Sequence, residues 1–465
     1  MAYLTGLKHQ LFMREETTYG KVQETDLTAA NQEWISGFNV YTRPGGRITA
    51  QSNPVVQPGL GAPSAIGRSR IGVSGSFSFY LEEITYKGQN TATTPQGFLL
   101  LFKHLYGEVT SSGSGGTNPD PIVVGDFFHQ TATGSNAVEN KLHAHFSKFD
   151  TVKDHAEDNT SADGLNYPSA AANKKGSFSF LSYFDENEVY LYSGVCPTSM
   201  TINVGDANSL VTVDVSFIAR SIDRLYYTTS GADTTGVFRN LGPSNFWDSD
   251  DTTGKSTDAA IITNAATIFF PTGGPRKITP NFTGMDLSMS LTLGDQAFTT
   301  GTDGFLQTSG VSINISRPMG YTGGFGSYSN AFSLKNLWRN DRPVLTSSKS
   351  ITGSFTVPVL KHTINASGSG NTSEGYDSYM ERLREVSLGR NTLDSPLEIK
   401  FDPSTATRNS YTFNFDNIIF GATDFDNIST NIMTTTVNWT AVPSKTEALN
   451  EDRMAEMTYT ENIPA

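Results

Sequence analysis

Cysteine is nearly absent from this chain of 465 residues: Cys196 stands alone. No internal disulfide can form, so the stapled framework of small secreted domains is excluded. Basic charge is scarce as well, with 33 Lys and Arg against 46 Asp and Glu and a formal net charge of −13. Gripping nucleic acid requires cations that displace counterions from phosphate, so this balance argues against it. It is compatible with sitting beside DNA without holding it. Long apolar runs are missing, and the opening MAYLTGLKHQLFMREETTYG has no basic stretch followed by an apolar one. Neither a membrane-spanning helix nor a signal peptide is expected, and the chain reads as a soluble protein made in a cytoplasm.

What the chain does have is 43 Gly, 29 Phe and 18 Tyr, with Ser, Thr and Asn throughout. At 37% hydrophobic residues it can build a core, and its length suits two to three domains. Glycine-rich turns and little helical periodicity point to strands. The stretch VSGSFSFYLEE at 73–83 shows the pattern most clearly. Val73, Gly75, Phe77, Phe79 and Leu81 fall on one face, and Ser74, Ser76, Ser78, Tyr80 and Glu82 on the other. That alternation is the mark of a half-buried strand.

A near-copy, ITGSFTV, occupies 351–357, with Gly353 placed 278 residues after Gly75. The same offset relates LTG at 4–6 to FTG at 282–284. TRP at 42–44 matches SRP at 316–318 with an offset of 274, and the helix-like segments ending at Gly107 and Gly389 match with 282. VDVSFIA at 213–219 matches TTVNWTA at 435–441 with 222. The matches keep one order, so a whole domain is duplicated, the first copy carrying an insertion of about 60 residues. The literal GSFSF at 176–180 belongs to a different strand, one arm of a hairpin turning at 185–188. Its counterpart contains Phe401-Asp402, matching Phe184-Asp185.

The expected organisation is therefore a first domain at 1–222 with a surface insertion at about 111–175, a linker at 223–279, a second domain at 280–445, and a polar tail at 446–465, mobile or docked on a neighbour. Strands are expected at 7–13, 32–41 and 73–83 in the first copy, and at 287–293, 310–316 and 351–360 in the second. Loops of unusual length, 43–70 and 317–350, follow the second strand of each copy, and such loops are commonly functional. One amphipathic helix per copy is predicted, at 95–106 through Phe98, Leu101, Phe102 and Leu105, and at 376–388 through Tyr376, Met380, Leu383 and Val386.

Catalytic chemistry finds no foothold. His143 and His145 share a strand face, yet a metal site needs further ligands, and only His155 is near in sequence. Asp248, Asp250 and Asp251 lack the bidentate Glu of a calcium loop. Cys196 sits in an apolar strand where a core role is usual. Nucleophile-elbow, dinucleotide and phosphate-loop motifs are absent, and the adjacent Glu82 and Glu83 point to opposite faces of a strand. No enzyme activity, cofactor or metal is expected.

Two strands, a long loop, the GSFSF or GSFTV strand, an amphipathic helix, then a hairpin leading to VDVSFIA or TTVNWTA: this order resembles the major tail tube protein of long-tailed bacteriophages. The segment GVCPTSMTINVGDANSLVTVDVSFIARS is similar to the way such proteins finish their domain. The resemblance implies a mainly β fold, two β-sandwich or split-barrel domains each with a flanking helix, in a virion protein whose six-fold rings stack into a hollow tube for DNA. Two copies per chain imply three chains per ring. It also implies that the long loops reach an adjacent ring, making Arg43, Arg47, Arg68, Arg70, Arg317, Trp338, Arg339 and Arg342 candidate contacts. Implied partners are the chain itself, tape-measure, terminator, baseplate or tip and sheath proteins, and passing DNA that is not specifically bound, with no membrane. An acidic lumen would repel phosphates, with Glu82 and Asp286 as candidate lining residues. The alternative is a non-catalytic β-sandwich that recognises carbohydrate through loop Tyr, Trp and Asn.

Overall fold

The computed structural model describes residues 10–15, 35–36, 40–50, 53–56, 63–67, 71–82, 101–102, 105, 107–112, 138–145, 177–185, 188–228, 237–240, 260–263, 281–293, 296–299, 310–321, 343–358, 394–403, 410–421, 434–443 and 453–461. Its architecture is mainly β, with every strand pairing antiparallel.

One continuous sheet contains eight strands built on alternating sequences: β3 (Val40–Ala50), β6 (Ile71–Tyr80), β11 (Thr212–Ala219), β10 (Glu188–Val204), β17 (Gly310–Ser316), β20 (Ser350–Pro358), β24 (Thr434–Val442) and β23 (Asn417–Phe420), in that spatial order. A second layer covers its apolar face. On one side it comprises β2 (Ile35–Ser36), β1 (Gln10–Glu15), β9 (Phe178–Asp185), the first half of β10, β12 (Ser221–Thr228), β13 (Val237–Asn240) and β14 (Ala260–Thr263). On the other it is a seven-stranded sheet: β16 (Gln296–Thr299), β15 (Leu287–Leu293), β21 (Leu397–Phe401), β22 (Ser410–Phe415), β25 (Arg453–Glu461), β8 (Val138–His145) and β7 (Gly107–Ser112). Aromatic rings lock the layers: Phe77 stands edge-on to Phe180 at 5.5 Å, and Phe415 lies 4.6 Å from Trp439.

The pairing repeats down to the residue. Met13 faces Phe180, which faces Tyr192, while Leu291 faces Leu397, which faces Phe415. Gly75 faces Phe217, and Gly353 faces Trp439. Met13 and Leu291, like Gly75 and Gly353, are 278 residues apart. In the first set, β10 crosses from the outer layer to the inner through an irregularity at Pro197–Ser199; in the second, the equivalent strand is divided at Asp416 into β22 and β23.

Several expectations are corrected. The strand foreseen at 32–41 is displaced: β3 begins at Val40 and runs through the TRPGG stretch, absorbing Pro44 in a bulge between Thr42 and Gly45. Proline cannot donate to a ladder, which is why this stretch reads as loop and why a bulge is needed. The rest of the loop at 43–70 holds a hairpin, β4 (Asn53–Val56) with β5 (Pro63–Gly67). At the corresponding place between β17 and β20 stands β18 (Met319–Tyr321) paired with β19 (Pro343–Leu345). The insertion is not only surface decoration, because β8 is an interior strand between β25 and β7. The linker contributes β13 and β14. The tail contributes β25, whose Ala455, Met457 and Tyr459 have no exposed surface. Of the first predicted helix, Leu101, Phe102 and Leu105 are helical and fully buried, Phe102 lying 5.7 Å from Phe413. The helix expected at 376–388 lies outside the described residues.

Candidate assembly surfaces

The apolar face of the eight-stranded sheet is buried, which leaves the opposite face as the open one. From β6 to β24 its described side chains are almost all hydroxyls and amides: Ser74, Ser76 and Ser78, then Thr201 and Asn203, Ser312 and Asn314, Thr352 and Ser354, Thr436 and Asn438. They interlock across strands. Ser78 Oγ donates to Asp214 Oδ1 at 2.5 Å, Asn203 Nδ2 donates to Asp214 Oδ2 at 3.3 Å, and Ser312 Oγ donates to Asn203 Oδ1 at 2.9 Å. That chain of bonds runs from β6 through β11 and β10 to β17. A second row links Thr201 to Asn314 at 3.2 Å and Asn314 to Thr352 at 3.5 Å. Cross-strand polar pairs of this kind contribute roughly 0.2–1 kcal/mol each, so their effect is chiefly to fix register.

Charge on this face is sparse. Among the described side chains of the face, Asp214 is the charged one, and it is exposed. Glu82 is 3% exposed and lies at the end of the sheet in a bridge to Asn281. Asp286 closes a capping box, its Oδ2 accepting the Thr283 backbone N–H at 2.8 Å. Neither lies on the open face, so both lumen candidates are corrected in favour of Asp214. The signal was present in VDVSFIA, where alternation with Val213, Val215 and Phe217 turns Asp214 outward.

The loop candidates scatter. Arg43 and Arg47 belong to β3, with Arg47 in register with Ser74. Arg317 follows β17 and is 1% exposed, its backbone N–H donating to Thr198 O at 2.8 Å, so it is not an outward contact. Arg68, Arg70, Trp338, Arg339 and Arg342 lie outside the described residues. Cys196 is fully buried beside Met319. His143 and His145 stand on β8 in register with Glu456 and Arg453. Among the described residues, no group of three potential metal ligands occurs, and no helix is long and apolar enough to cross a membrane.

The sheet's centre and its edges are related. Within the chain, the first strand set ends on β10 and the second begins on β17, and these two pair from Ser199–Ser316 to Val204–Val311. The outermost strands are β3, which pairs with β6 as β17 pairs with β20, and β23, which pairs with β24 as β10 pairs with β11. Each edge is thus of the kind that finds a partner at the centre. Ile419, on β23, is 49% exposed.

No family model matches the chain, and no curated protein matches it. Among solved structures, it is similar to a tube-terminating cap of the anti-feeding prophage, determined by cryo-electron microscopy, at a TM-score of 0.22 with 12% identity over 40% of this chain and 97% of that one. It is also similar to a type six secretion system protein, at a TM-score of 0.18 with 8% identity over 50% of this chain and 95% of that one. Likenesses this weak carry no argument, and the functional reading rests on the chain's own geometry.

Proposed function

We propose that the chain is a non-enzymatic, self-assembling tail tube protein of a virion, with two tube-like domains per chain and three chains closing each ring. The observation that carries this reading is the β10–β17 junction, flanked by edges of the same two kinds. A heterologous contact that is made once inside a chain and left open at both ends generates a ring when the rotation closes. Pairing β23 of one molecule with β3 of the next would remove the open edges that otherwise invite aggregation. The stretch equivalent to Ser199–Val204, which follows β23, lies outside the described residues.

Three chains of eight strands give a closed sheet whose strands, about 4.8 Å apart and tilted by up to about 45°, enclose a bore roughly 35–50 Å across between backbones. That is wide enough for a DNA duplex. With the outer layer on the apolar face, the hydroxyl and amide face lines the bore. A neutral wall with an occasional carboxylate gives phosphates nothing to hold. The β4–β5 and β18–β19 hairpins, at matching places between strands, are the elements that would reach an adjacent ring. Tape-measure, terminator, baseplate or sheath proteins and passing DNA are the partners of this reading.

Negative-stain microscopy of the purified protein tests it. Tubes or three-fold rings with a central hole are expected. Discrete monomers that bind glycans would replace it with the carbohydrate-recognition alternative.

A further inference from the structure

Residues 281–284 do something no ordinary linker needs to do. They leave the second strand set and insert their backbone at the end of the first set's inner sheet, where β6 and β11 finish. Phe282 N–H donates to Leu81 O at 3.0 Å, and Val211 N–H donates to Phe282 O at 3.0 Å. Asn281 bridges to Glu82 and Thr283 to Leu210, and Gly284 N–H donates to Ser209 O at 3.0 Å. Gly284 is a contact glycine: a Cβ there would stand 2.0 Å from Asp206 O, in the turn that joins β10 to β11. The side chain of Phe282 faces its own set, 5.4 Å from Tyr411 and 6.3 Å from Phe401. FTG therefore anchors its side chain at home and pairs its backbone with the neighbour.

The second set presents the same end. The last pair of β20 and β24 is Pro358–Thr434, matching Tyr80–Thr212 in the first, again 278 and 222 residues apart. In the first set the position beyond this pair is filled by the Thr-Gly of the set that follows. We propose that the position beyond Pro358 and Thr434 receives the Leu4-Thr5-Gly6 segment of a second copy of this chain. That segment matches FTG at the offset of 278 shared by β1 with β15 and by β6 with β20. The segment itself lies outside the described residues. The likeness stops after Gly6: Lys8 stands where Asp286 closes the capping box, so the shared feature is the backbone seat and its glycine. The inference rests on the ring reading, because the set that donates LTG belongs to the chain whose β3 meets β23.

The discriminating variant is Gly6→Val in the full chain. It leaves the molecule's own packing alone and places a side chain where the neighbour's turn must lie. Expected are an unchanged thermal midpoint and at least a tenfold rise in the concentration needed for assembly. Assembly equal to the parent chain overturns the inference. A second measurement does not need tubes. A Thr5→Cys chain and a separate Thr434→Cys chain, mixed at high concentration with a short bismaleimide, should give cross-linked heterodimers, since Cys196 is fully buried. Absence of heterodimers above the level of a Thr49→Cys control overturns it as well. If the parent chain forms no rings and yet the cross-link forms, the ring reading fails while this contact stands.

Discussion

At Gly353 a side chain is missing because a neighbour needs the space. A Cβ there would lie 2.3 Å from the Trp439 ring and 2.4 Å from Ser312 O. The GSF motif thus pairs a glycine on one strand with a large aromatic on the next, Trp439 here and Phe217 opposite Gly75. Gly353→Ala should cost roughly 1–3 kcal/mol through overpacking, read as a lower thermal midpoint. Trp439→Ala, which empties a site only 2% exposed, should cost about 3–5 kcal/mol by the same measurement. Asp214 governs a different property. Asp214→Arg should let assembled particles retain DNA in a cosedimentation assay at low salt, the binding fading as salt rises. Particles of the parent chain should retain none.

Elements that alternate strongly were legible before any coordinates. VSGSFSFYLEE, ITGSFTV and VDVSFIA became β6, β20 and β11, and the offsets of 278 and 222 reappear as matching registers. The hairpin at 185–188 is where its sequence placed it, with Asp185 paired to Glu188. Pairings between distant segments were not legible. Nothing near Lys141 announces that it will face Thr458, because a single edge strand carries no record of its partner. The Gly/Ser-rich surroundings of β8 and the polar ends of β25 pointed to surface and tail. Asp214 was missed for another reason: the search looked for acidic clusters, whereas the open face carries an isolated carboxylate among hydroxyls. The buried β25 makes a direct prediction. Ending the chain after residue 452 should expose β22 and β8 and yield aggregated protein, measured as loss of the monomer peak on size exclusion. A dispensable tail would leave that peak intact.

For the whole molecule, the two strand sets act as one body because three kinds of contact join them. The β10–β17 ladder, the Phe282 seat, and the passage of Phe102 and the β7–β8 pair onto the second outer sheet all cross between them. A rotation built once into the chain by the first two contacts is the rotation that the ring must repeat between chains. The hairpins between β3 and β6 and between β17 and β20 then set stacking and not closure. Replacing residues 53–67 with a short turn should leave rings that no longer stack, seen as flat particles in place of tubes. The most direct measurement of the central claim is cryo-electron microscopy of the assembled particles viewed end-on. Three chains per ring, joined through one uninterrupted inner sheet with β23 of each chain beside β3 of the next, is the predicted result. Six chains per ring, or chains joined without that strand pairing, would contradict it.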